Sequence, residues 1–259
     1  MAAFFDLDKT IISRSSALAF VPSFYRHGLI SRSAAVRGAC GQFVFRSLGA
    51  GPTQMARIAG QVSELCRGWS AEQVGEIVRA ELATAIIPYV YPQARTLLAA
   101  HAAAAHDVII VSSSGQEMVA PIAVLLGAGH VIATRMQVAT GRYTGVMEFF
   151  AYGEAKAASI RDLAAERGYR LADCFAYSDS VTDVPMLEAV GHPHAVNPDR
   201  ALRKLAQARG WPVLAFGDRS AAVAGGTAAV RSQQLSACDD DHRSRSGIGP
   251  GVPPGADPP

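Results

Sequence analysis

"AAFFDLDKTI", residues 2–11, is the stretch on which the whole chain turns. Ala2 to Phe5 is an apolar run suited to a strand buried on both faces. Two carboxylates, Asp6 and Asp8, follow it directly. Charge at the edge of a core is costly unless it is paired, hydrogen-bonded or bound to a metal. A strand that merely ends in a polar loop, with Leu7 alone turned inward, would satisfy the same residues. What lies downstream decides between the two.

Residues 12–91 carry helical patterns and no strand. Ser31 is placed to cap a helix with Ala35, Val36, Ala39, Phe43 and Val44 along one side. Pro52 suits a first turn ahead of Met55, Ile58, Ala59, Val62 and Leu65. Ser70 and Gln73 form a capping-box pattern before Val74, Ile77, Val78 and Leu82. From Pro92 onward strands and helices alternate. One helix, "QEMVAPIAVLLGAG", is expected to be interrupted at Pro121, and a hairpin is expected to turn at Thr140-Gly141. Alternation of this kind predicts an α/β fold, a Rossmann-like parallel sheet covered on both faces, with the helical block inserted after the first strand. Residues 218–259 lose the apolar period and end in Gly, Pro and Asp, a composition expected to be disordered.

The 259 residues are 49% hydrophobic and 18% charged, a globular composition. A net charge of +2 gives no basis for a nucleic-acid partner or an anionic membrane. Cys40, Cys66, Cys174 and Cys238 form no C-x-x-C pair, so neither a zinc knuckle nor a redox motif is indicated. No apolar run reaches the roughly 18 residues of a membrane span. Asp6 comes too early for a signal peptide, and the expected location is the cytoplasm. The pattern specifies no oligomeric state.

Open parallel sheets bind ligands beyond the carboxyl ends of their strands. Three predicted strands end in "FFDLDKT", "IIVSSSG" and "FAYSDSVTD". Between the last two, Lys156 falls near a helix start; the other lysines are Lys9 and Lys204. Each feature has an ordinary explanation. Ser112 to Ser114 read as a polar loop, Lys156 as a solvated helix residue and Asp183 as a cap for "VPML". His192 and His194, without matching ligands, read as structural. Taken together the loops support more. Asp6, Asp179 and Asp183 supply hard oxygens suited to Mg²⁺. The hydroxyls and amides of the serine run can hold a phosphate at the following helix N-terminus, and Lys156 adds a point charge. No His or Cys is placed as a nucleophile, so a carboxylate is the candidate. The implied chemistry is phosphoryl transfer from a monoester through an aspartyl-phosphate.

The set "DLDKT", "VIIVS", Lys156 and "SDSVTD" resembles the four signature motifs of the haloacid dehalogenase superfamily. The helical block is similar to the cap of its phosphoserine phosphatase-like branch. The run also resembles the actinobacterial members of that branch labelled "inhibition of morphological differentiation". The resemblance implies an α/β core of residues 1–11 and 92–217 and a cap of residues 12–91. It also implies a role for each site residue. Asp6 is the nucleophile and a metal ligand. Asp8 protonates the leaving alcohol, then activates water, and its carbonyl faces the metal. Thr10 orients the first loop; Ser112, Ser113 and Lys156 bind the phosphoryl group. Asp179 binds Mg²⁺, and Asp183 supports the metal waters or Lys156. The partner is a small phosphorylated metabolite.

Two departures from the branch bear on substrate. A Glu expected nine residues after the nucleophile is Ser15, which points away from phosphoserine. The last motif reads Ser178-Asp179-Ser180 with Thr182 where Gly-Asp-Gly and Asn are expected. The cap, with Arg14, Arg26, Arg32 and Arg37, is then expected to set specificity. Alternatives are a phosphotransferase to a non-water acceptor and a weakly catalytic, phosphoryl-binding regulator. A P-type ATPase phosphorylation loop, with Asp8 as nucleophile, requires membrane helices that the sequence lacks.

Overall fold

The computed structural model describes residues 1–31 and 52–217. The expected helix after Ser31 and the expected disorder beyond residue 217 lie outside those residues. Strand β1 (Ala2–Asp6) is buried along its whole length. It lies between β2 (Asp107–Gly115) and β5 (Phe175–Ser178), parallel to both. β3 (His130–Ala139), β4 (Arg142–Phe149), β6 (His192–Val196) and β7 (Val213–Leu214) complete the sheet in the order β4-β3-β2-β1-β5-β6-β7. Among the described residues only the β3–β4 pair is antiparallel. Its turn, Thr140-Gly141, has φ of +48° and +76°, the left-handed geometry that matches strand twist.

The chain runs outward from β1 to β3 on one side and then from β5 to β7 on the other. The carboxyl end of β1 is therefore the point where strand order reverses, the place where such sheets open a ligand crevice.

Helices α1 (Ser16–Ala19), α2 (Val21–Arg26), α3 (Pro52–Leu65) and α4 (Ala71–Ala85) occupy the described part of the insertion. Ser70 caps α4 by accepting from the Gln73 amide at 3.2 Å. Two crossing segments form the neck: Ser13 N donates to Tyr89 O at 2.8 Å and Tyr91 N to Ile11 O at 3.0 Å. The far side of the insertion is tied to the hairpin. Tyr143 N donates to Trp69 O, Gly68 N to Tyr143 O, and Ser63 Oγ to Gly145 O. The outer edge of β4 is thereby partly covered.

The sheet is flanked by α5 (Pro92–Ala103), α6 (Gln116–Leu126), α7 (Glu154–Arg167), α8 (Val184–Glu188) and α9 (Arg200–Arg209). α6 runs unbroken through Pro121, where an interruption was expected. Proline removes one intrahelical bond, but Val119, Ile122 and Ala123 are buried on either side of it and hold the helix. α7 ends at Gly168, φ +71°, a left-handed position that favours glycine.

Candidate active site

Strand parity decides where the first carboxylate points. Side chains of a strand alternate between faces. Ala2 and Phe4 pack with Ile109, Ile160 and Met186; Ala3 and Phe5 pack with Ile110, Val78 and Tyr177. Asp6 follows Phe4 by two and shares its face. Ile160 of α7 covers that face, and Lys156 lies one helical turn earlier. Two strand residues and four helix residues each advance about 6 Å, so the ammonium arrives beside Asp6. Lys156 is 2% exposed. Its Nζ donates to Asp6 Oδ1 at 2.7 Å and to Asp183 Oδ2 at 2.8 Å. The solvated-lysine reading is excluded.

Around this buried pair the other loops close in. Thr10 Oγ1 donates to Asp6 Oδ2 at 3.1 Å. Ser178 Oγ donates to Asp183 Oδ2 at 2.7 Å, so the serine that stands in the expected glycine's place positions a carboxylate. Asp183 precedes α8, yet its side chain makes no capping bond; it serves Lys156 instead. Asp8 Oδ1 accepts from Ser16 N at 2.9 Å. Ser16 Oγ meets Ser114 Oγ at 2.8 Å, joining the start of the insertion to the serine run.

Ser112 is buried next to Val111, the residue paired with Asp6 in register. Its Oγ accepts from Ser114 N at 3.2 Å. Ser113 is exposed, with its carbonyl accepting from Thr134 Oγ1 at 2.7 Å. Among the described residues, Ser112 and Ser113 are the two expected phosphate-binding residues whose side chains make no bond to another expected site residue, whereas Thr10 and Lys156 both bond to Asp6. Asp179 is buried at the end of β5. Arg14 and Arg26 are occupied, the first 3.3 Å over the Tyr89 ring and the second paired with Glu81. Arg32 and Arg37 lie outside the described residues.

Two contributors escaped the sequence reading. Asp199 N donates to Asp179 O at 2.8 Å, while Asp199 Oδ2 accepts from Val181 N and Oδ1 from Leu202 N. One side chain thus caps α9 and anchors the Asp179 loop. The signal available was an Asp directly before a helical pattern, which suggests a cap and no more. Lys9, at φ +63°, turns the first loop and brings its charge to bear on Asp179. Such a conformation is uncommon for a residue with a β-carbon.

Burial raises the Asp6 carboxyl, Lys156 opposes it, and Asp183 and Asp8 add to the rise, to about 7. Burial and then Asp6 push Asp179 to about 8. Burial also raises Asp8, against the hydrogen bond from Ser16 N. Burial alone would lower Lys156, but Asp183 and Asp6 hold it above the ordinary lysine range. Three buried carboxylates, Asp6, Asp179 and Asp183, therefore face one buried ammonium. Excess negative charge on hard oxygens fits a divalent cation. Among the described residues no group of three or more His, Cys, Asp or Glu side chains is placed to hold a metal ion by itself. The fit is to a cation such as Mg²⁺, which keeps waters and takes phosphate oxygens alongside one or two carboxylates.

A parallel sheet with a carboxylate–lysine site at its switch point defines a class of α/β hydrolases that includes aspartate-based phosphatases. The model of the haloacid dehalogenase-like hydrolases matches residues 3–188, and the chain belongs to that family. It is 57% identical over 216 residues to the "inhibition of morphological differentiation" protein of Streptomyces azureus, covering 83% of this chain and 78% of that one. A histidinol-phosphatase of Neisseria meningitidis is 34% identical over 83% of this chain and 98% of its own length. A solved Bordetella pertussis protein of unknown function superposes with a TM-score of 0.73 at 31% identity, over 82% of this chain and 97% of that one. The expected superfamily, the expected fold and the hydrolase class are borne out. Among the described residues no helix is long and apolar enough to cross a membrane.

Proposed function

We propose that this chain is a Mg²⁺-dependent phosphomonoesterase that works through phosphorylated Asp6, with residues 12–91 as a cap over the core of residues 1–11 and 92–217. The observation that carries this reading is the buried bridge of Lys156 between Asp6 and Asp183. A solvated ammonium would need no such partners. A buried one beside a nucleophilic carboxylate offsets the repulsion as an anionic phosphoryl group approaches.

In this reading Asp6 attacks phosphorus with a carboxylate oxygen, its orientation held by Lys156 and Thr10. Asp8, which burial keeps protonated to higher pH than a solvated carboxyl, gives its proton to the leaving alcohol. The resulting carboxylate then takes a proton from the water that hydrolyses the acyl-phosphate. Ser112 and the amides that follow it bind phosphoryl oxygens at the start of α6, with Ser113 contributing through its backbone. Asp6, Asp179 and the Asp8 carbonyl would hold Mg²⁺, with Asp183 and Lys156 behind them. Bound there, the cation supplies positive charge that offsets the phosphoryl oxygens.

The substrate is proposed to be a small phosphorylated metabolite, in line with the histidinol-phosphatase relative. Hydrolysis of a chromogenic aryl phosphate, with and without Mg²⁺, tests the reading. Wild type should turn over only with the metal, and Asp6→Asn should lose at least 10³-fold in kcat. Full activity in Asp6→Asn, with unchanged metal dependence, would remove Asp6 from the chemistry.

A further inference from the structure

Strands β2 and β3 pair in parallel from Ile109 opposite His130 to Ser112 opposite Ala133, and the next pair is Gly115 opposite Thr134. Ser113 and Ser114 therefore have no residue of β3 opposite them. A bulge of this kind takes backbone groups out of the ladder, and bulges recur beside active sites because they re-aim what they carry. Here the displaced residues are the two that follow Ser112. Their amides belong to the run read above as the phosphoryl cradle. Whatever holds the bulge decides where those amides point.

Thr134, buried in β3, supplies that hold. Its Oγ1 donates to Ser113 O at 2.7 Å and accepts from Ala151 N at 3.3 Å. A hydroxyl has one proton to give. The Ala151 amide brings its own, so the Thr134 proton is committed to the Ser113 carbonyl. A trans peptide is planar, with its carbonyl and its amide directed to opposite sides. Fixing Ser113 O thus turns the Ser114 amide the other way, where it donates to Ser112 Oγ at 3.2 Å. The second contact of Thr134 runs toward the ammonium. Ala151 is buried in the segment that enters α7. In the first turn of that helix Lys156 N donates to Gly153 O at 3.1 Å. One hydroxyl joins the serine run to the approach to Lys156.

Threonine suits a strand by its branched shape alone, and valine would fill that role equally. Shape does not account for the two bonds that the hydroxyl makes. We propose that Thr134 is a positioning residue of the phosphoryl site: its hydroxyl sets the Ser113–Ser114 peptide so that the serine run presents its amides to a phosphoryl group, and it ties that loop to the segment leading to Lys156. It acts through the loop and not on the reacting atoms. The assignment rests on the phosphomonoesterase reading above.

Three variants isolate the hydroxyl. Thr134→Val keeps the shape, while Thr134→Ser and Thr134→Ala differ from each other by that group alone. Inorganic phosphate is titrated into each protein by calorimetry with Mg²⁺ present, and kcat/KM for an aryl phosphate is measured on the same preparations. Thr134→Val and Thr134→Ala should bind phosphate about fivefold more weakly than wild type and lose at least as much in kcat/KM. Thr134→Ser should stay within about twofold of wild type in both. Lower urea stability in Thr134→Val with unchanged phosphate affinity overturns the proposal, because the hydroxyl is then structural only. Equal affinity in Thr134→Ser and Thr134→Ala overturns it as well, and that pair decides the matter if Thr134→Val does not fold. Wild type that binds phosphate but hydrolyses no ester sinks the phosphatase reading, while the binding comparison still judges the hold of Thr134 on the loop. Wild type that neither binds nor hydrolyses ends both.

Discussion

Lys156 carries the residue-scale lesson. A lysine in the first turn of a helix ordinarily reaches water. Here its ammonium donates to two buried carboxylates, Asp6 and Asp183. Removing it leaves Asp6 and Asp183 sharing a dry site with no counter-charge. Lys156→Met should therefore lower kcat for an aryl phosphate by at least 10³-fold. The same variant should be less stable by about 3 kcal/mol, measured by urea denaturation at neutral pH. Unchanged kcat would show that the ammonium is structural only. Ser178 makes a quieter point. By sequence it is a departure from glycine, and whether it matters depends on a bond to Asp183 across a turn, which no residue pattern announces.

Asp199 belongs to the scale of elements. It caps α9, accepts from Val181 N and, through its own amide, holds the Asp179 carbonyl. One residue thus links a helix start to the loop proposed to hold the metal. Asp199→Ala should cost about 1–2 kcal/mol from the lost cap. It should also raise the Mg²⁺ concentration for half-maximal activity by several-fold, because the loop bearing Asp179 loses its anchor. Stability loss with unchanged metal dependence would reduce Asp199 to a cap alone. The elements themselves were well announced: Ser70 before α4, Thr140-Gly141 in the hairpin and Gly168 after α7 carry their signals locally. Pro121 misleads for a physical reason. Its cost is local, whereas the burial that outweighs it comes from neighbouring elements.

At the scale of the molecule, two apolar layers sandwich the sheet, and an imidazole–aromatic stack runs along one of them. His101 Nε2 meets the Tyr177 hydroxyl at 2.8 Å, and His194 stacks on Tyr177 at 4.7 Å between ring centres. Tyr177 in turn stacks on Phe5 at 4.4 Å. Burial lowers both His101 and His194 from 6.5 to about 4. The unfolded chain takes up these protons as pH falls through 6.5, and the folded chain does so only near 4. Stability is thus at its full value above pH 6.5 and is lost between 6.5 and 4, by about 3 kcal/mol per ring at most. Urea midpoints across that window should fall for wild type and fall less for His101→Gln. Equal slopes would mean that His101 bears no part of the acid sensitivity.

Composition, strand–helix alternation and the order of the acidic, hydroxyl and basic motifs were enough to specify an α/β fold and to nominate Asp6, Asp8, Ser112, Lys156 and Asp179. Those signals are local periods and short motifs, which survive in a linear reading because each is set by neighbours along the chain. Folding alone decided that Lys156 bridges Asp6 and Asp183, and that Ser178 and Asp199 hold the last loop. Those pairings depend on distances between segments far apart in sequence, and on how much water the packing leaves around each charge. Neither quantity is written in any single stretch of residues.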